Sequence, residues 1–224
     1  MKNPKTKMWF MLVVGFIIIG IVLFVVAGTT HYWQGWSYLA VGFVTSGLLT
    51  LYTVSDPVLL EGRTRNGFTA EQRPIQKIIV WCLGLFCAAA YIVPALDYRF
   101  GWSSMPSWLS IAGDLLIIVG MWMVYRVFKE NSFGAVTVEI GKDQKVITTG
   151  PYAIVRNPMY SSAIVYFVGM TLALGSYWGL IPGVLAALGF VLRLLDEEKM
   201  LAKDLPGYVA YQAKVHWHLI PEIF

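Results

Sequence analysis

Charge is what this chain has least of: only 13% of its 224 residues are Asp, Glu, Lys or Arg, while 57% are hydrophobic. With a mean hydropathy of +0.63, that shortage argues against a soluble domain and predicts a polytopic membrane protein. Cysteine is nearly as scarce. Cys82 and Cys87 share one apolar segment but point to different helix faces, which argues against a disulfide framework or a thiolate metal site and leaves them as small packing residues. Histidine is too sparse for a metal centre. His216 and His218 stand two apart and His31 falls on the other side of the chain's expected layout, so the pair reads as interfacial, alongside Trp217. The net charge of +4 is scattered over short loops, as a topology signal is, and forms no stripe for nucleic acid. Internal repeats, low-complexity tracts and a second soluble domain are also missing.

Apolar runs fill the space that charge leaves. "MKNPKTK" begins like a signal peptide, but the apolar run after it extends for about 20 residues without an A-x-A cleavage site, so a retained first membrane helix is expected. Further windows fall at roughly 35–54, 77–97 and 107–128, followed by shorter ones at roughly 159–175 and 177–195. The expected fold is an all-α integral membrane protein with about six spans, the last two forming a helical hairpin across "GSYWG". If all six cross, both termini share a side with every Lys and Arg except Arg99, and the positive-inside rule puts that side in the cytoplasm.

Nearly all other polar residues fall on that face. "AVTVEI" and "KVITT", joined by "GKDQ", alternate as a small β-hairpin does. From Arg193 onward, spaced leucines predict an amphipathic helix ending near "PG", then a short helix over 208–215. The chain therefore divides into a four-helix membrane region, 1–128, and a C-terminal region, 129–224, that carries the chemistry.

Two constellations stand out there. In "GPYAIVRNPMY", Asn157 suits a helix N-cap and Pro158 the first helical position, and Arg156 could simply snorkel. That leaves Gly150, Pro151, Tyr152 and Tyr160 unexplained. Helix N–H groups and the arginine fork together predict an anion cradle. In "RLLDEE", Arg193 and Glu197 share a helix face, flanked by Asp196 and Glu198. A solvated run neutralised by Arg193, Lys199 and Lys203 is the plain reading, but the hairpin returns these acids to the first constellation. Asp114 and Arg126 lie near opposite ends of the fourth segment, the former a candidate for burial with a partner and the latter for the same pocket.

These ordered motifs, followed by "LPGYVAYQAKVHWHLIP", resemble the C-terminal half of the isoprenylcysteine carboxyl methyltransferase family and the related phospholipid N-methyltransferases. The resemblance implies an S-adenosylmethionine-dependent enzyme with a cytoplasm-facing cofactor pocket and a lipid-like acceptor entering from the bilayer, above all a carboxylate such as prenylcysteine. It assigns Asn131, Tyr152, Arg156, Asn157, Pro158, Tyr160, Glu197 and Glu198 to the cofactor, and Arg193 with Glu197 to catalysis. Asn157 replaces the family's usual histidine and cannot serve as a base. Carboxyl methylation tolerates that change because a carboxylate is already anionic at neutral pH. Methylation of an amine or thiol needs a base, for which Glu197, Glu198 and Tyr160 are available. A nicotinamide-dependent membrane reductase and a non-catalytic scaffold are the competing readings.

Overall fold

The computed structural model describes residues 3–65, 74–132 and 146–224. Among these residues eight α-helices follow in chain order: α1 (Pro4–Ala27), α2 (Trp33–Thr53), α3 (Pro57–Arg65), α4 (Pro74–Phe100), α5 (Ser107–Glu130), α6 (Pro158–Ala173), α7 (Leu180–Asp204) and α8 (Tyr208–Gln212). The all-α expectation holds, with no strand among the described residues. The expected β-hairpin falls largely outside them. Helix boundaries follow local chemistry. The Asn3 side chain accepts from the Lys5 amide at 3.0 Å to open α1, and Gly28, at φ 71°, closes it.

The six-span expectation is reduced. Among the described residues three helices, α1, α4 and α5, are long and apolar enough to cross a bilayer, and α2 with α3 adds a fourth if that bent pair is one span. α6 has 16 residues, about 24 Å of helix against roughly 30 Å of hydrocarbon. α7 is longer, but its second half carries Arg193, Asp196, Glu197, Glu198 and Lys199. These two helices pack against each other as the expected hairpin. The spanning helices face outward with apolar side chains; Phe10, Ile17, Ile21 and Val25 of α1 are all more than half exposed, a surface suited to lipid.

α5 packs most extensively against α6, and glycine makes that possible. A Cβ on Gly169 would sit 2.8 Å from Leu116 Cβ and 2.9 Å from the Gly113 carbonyl oxygen, so the two backbones touch as small-residue seams allow. Several polar groups inside the bundle satisfy one another. The Tyr38 hydroxyl lies 2.8 Å from that of Tyr91 and 3.0 Å from that of Tyr166. Asp97 accepts from Ser103 Oγ at 2.6 Å and Ser176 Oγ at 2.5 Å, tying the α4–α5 loop to the α6–α7 turn. Asp114 is paired as expected, with Ser37 Oγ donating to it. Cys82 faces outward rather than packing, and Cys87 is half-buried.

Candidate active site

A single 3-10 turn, Gly150–Ala153, delivers the chain to α6. Gly150 has φ 58°, a backbone angle that favours glycine, and a Cβ there would also push aside the Glu130 carboxylate, whose Oε2 would lie 2.7 Å away. The turn presents Tyr152, whose hydroxyl accepts from Asn131 Nδ2 at 2.9 Å and whose carbonyl accepts from Tyr211 Oη at 2.7 Å. Burial pushes the Tyr152 phenol above its ordinary range despite the Asn131 hydrogen bond.

Arg156 is engaged by partners within the chain. Nε donates to Glu198 Oε1 at 2.9 Å and Nη2 to Oε2 at 3.1 Å. Nη1 donates to the carbonyls of Val215 and His216 at 2.9 and 2.8 Å. Nη2 also contacts the His218 ring at 2.8 Å, so every part of the fork is engaged within the chain. The expected cradle is thus filled by Glu198, 5% exposed, whose Oε2 lies 3.0 Å from His218 Nδ1. Asn157 occupies the N-cap position of α6 without capping it. Its Nδ2 instead donates to Glu198 Oε1 at 2.5 Å and to the His218 carbonyl at 3.3 Å. Burial raises the Glu198 carboxyl, but hydrogen bonds from Arg156 and Asn157 and the Arg156 charge outweigh it and hold the group below its ordinary value. His218 belongs to this clamp rather than only to an interface.

Glu197, one residue earlier, points elsewhere because successive helical residues diverge by about 100°. Its Oε2 accepts from Tyr160 Oη at 2.6 Å, and Tyr160 also hydrogen-bonds Arg193. Phe190 packs against the Tyr160 ring, centroids 6.0 Å apart. Arg193, 8% exposed, Tyr160 and Glu197 thus form one connected trio across α6 and α7. Asp196 takes a third direction and accepts from Gln76 Nε2 of α4. The three adjacent acids avoid mutual repulsion by engaging three separate partners, not by the solvated lysines of the plain reading.

Pro158 does not join the trio. It lines a separate groove of about 390 Å³ with Trp122, Met123, Ile154, Val155 and Leu219. Arg126 is at this groove too, its guanidinium 5.4 Å from the Trp122 ring centroid. The sequence reading missed Gln76 and Arg63. Arg63 stacks over Phe128 at 4.5 Å and lies within electrostatic reach of Tyr152. Its position was foreshadowed by "SDP", an Asp N-cap followed by proline, which opens α3.

Residues 108–206, from α5 through α7, match the family model for phospholipid methyltransferase. That stretch is similar to the phospholipid methyltransferase family. The family region therefore holds Tyr160, Arg193 and Glu197, together with both halves of the Arg156–Glu198 pair. His218 and the carbonyls that receive Arg156 lie beyond it. Together with the apolar helices, this similarity supports a methyltransferase of the membrane type. No curated protein matches the chain.

Proposed function

We infer that this chain is a membrane methyltransferase that transfers a methyl group from S-adenosylmethionine to an amphiphilic carboxylate such as a prenylcysteine, at a site around Tyr160, Arg193 and Glu197. The observation that carries the reading is the division of labour along one helix turn. Glu198 is consumed in holding Arg156, whereas Glu197 is presented with Tyr160 and Arg193. The residues suit the donor, an amino-acid zwitterion joined to a sulfonium: Glu197 is an acid for the ammonium, and Arg63 has a sealed Nε without an acceptor. Asn131 and Tyr152 stand nearby as hydrogen-bonding groups.

When bound, S-adenosylmethionine supplies an electrophilic methyl group whose transfer needs an aligned nucleophile and exclusion of water. Arg193 then orients the acceptor carboxylate. Orientation is its useful role, since an ion pair tight in the ground state weakens as the attacking oxygen loses charge. Tyr160 holds Arg193 and Glu197 in register by bonding both. Arg156, Asn157 and Glu198 act as positioning residues, fixing the start of α6 against α7. We place this face in the cytoplasm by the positive-inside rule.

The similarity to phospholipid methyltransferases favours a second acceptor, a phospholipid amine, for which Glu197 serves as the base. Calorimetric titration of purified protein in detergent with S-adenosylmethionine and S-adenosylhomocysteine tests the donor site. Saturable binding that Glu197→Gln weakens supports it; no binding by folded wild type overturns it. A prenylcysteine and a phosphatidylethanolamine, offered to the same preparation, then decide the acceptor.

A further inference from the structure

A turn of 119° between α2 and α3 sends the chain back toward the end of α5. Asp56 fixes that turn from both sides. Its Oδ1 accepts from the Val58 amide at 2.9 Å and the Leu59 amide at 3.2 Å, and its Oδ2 accepts from Ser132 Oγ at 2.7 Å. Leu59 is fully buried and Leu60 nearly so. The result is a short, firmly seated helix that carries Arg63 onto Phe128, beside Tyr152. Glu197 and Glu130 also act on Tyr152 electrostatically, so Arg63 belongs to the same neighbourhood as the trio.

Arg63 is poorly explained by packing alone. Its Nε is sealed from solvent and has no hydrogen-bond partner, and among the described residues no carboxylate pairs with the guanidinium. An arginine that merely snorkels keeps its whole fork, Nε included, in water or headgroups. The Phe128 face attracts the cation but offers no acceptor for its N–H groups. A permanently charged fork, held in place with an unmet donor, is suited to an anion that arrives from outside.

We propose that Arg63 is a carboxylate-binding residue of the methyl-transfer site, receiving the anionic end of a ligand beside Tyr152. This rests on the methyltransferase reading above. Two ligands bring a carboxylate: the amino-acid end of the methyl donor, and the acceptor itself. Binding distinguishes them without any need for turnover.

Wild type, Arg63→Gln and Arg63→Lys are titrated in detergent with two ligand pairs, after thermal melts establish that each folds. One pair is S-adenosylmethionine and its decarboxylated analogue. The other is N-acetyl-S-farnesylcysteine and its methyl ester. Arg63→Gln is expected to weaken the carboxylate-bearing member of one pair by about tenfold or more while its carboxylate-free counterpart changes less than about twofold; the affected pair names the source. Arg63→Lys keeps the charge without the planar fork and is expected to fall between, and it takes the place of Arg63→Gln if that variant does not fold. Unchanged binding of all four ligands, or equal loss within both pairs, overturns the assignment while leaving the methyltransferase reading intact. Wild type that binds neither donor ligand overturns both.

Discussion

Two adjacent glutamates make opposite predictions. Arg156→Ala leaves the Glu198 carboxylate buried without its main partner, an arrangement that costs about 3–5 kcal/mol. Thermal unfolding in detergent is expected to register that loss as a much lower melting temperature. Glu197→Gln keeps a hydrogen-bonding group opposite Tyr160, so the same melt is expected to shift little while donor affinity falls. Acid separates the two residues further. The Glu198 carboxyl is held below its ordinary value of about 4.5, so the folded state binds that proton less readily than the unfolded state. The resulting stability is fully present above the unfolded value and is lost as pH falls through the folded one. An acid titration of wild type should therefore show an unfolding component below about pH 4.5 that Glu198→Gln lacks.

The elements were more legible than their contacts. Six apolar windows appeared in the sequence, and six helices of 16 to 27 residues occupy them, because hydrophobic length is a local property. Whether each helix spans was less legible: α6 is short and α7 turns polar halfway along its length. The two constellations were visible as residue types, and the hairpin does bring their members together. What composition could not supply was direction. Nothing in "DEE" says that three neighbours go to Gln76, Tyr160 and Arg156 respectively, and nothing in "RNP" says that Asn157 will bond α7 instead of capping its own helix. Helix α3 escaped notice because its polar residues resemble a loop. Glycine at the α5–α6 seam yields a prediction at this scale. Gly169→Ala forces a methyl group against Leu116 and the Gly113 carbonyl, which is expected to lower stability by about 1–3 kcal/mol in the same melts. Gly84→Ala, where the added atom meets nothing within 4 Å, is its control.

For the whole molecule, the exterior and the site make different demands. The outward side chains of α1, α4 and α5 are apolar over most of their length, so the protein is expected to remain in the membrane pellet through alkaline carbonate washing and to leave it only with detergent. The clamp, by contrast, is assembled from distant parts of the chain. Arg156 waits for Glu198, 42 residues later, and for Val215, His216 and His218, 59 to 62 residues later. At roughly 5–20 residues per second of synthesis, that interval lasts roughly 3–12 s. Until it ends, a guanidinium destined for burial must remain in water or among headgroups, which keeps the start of α6 at the surface and delays its docking. Folding of this region is thereby timed by translation: a ribosome-bound chain halted near residue 200 should still be open to protease between Gly150 and Pro158, and a chain released past residue 219 should be closed.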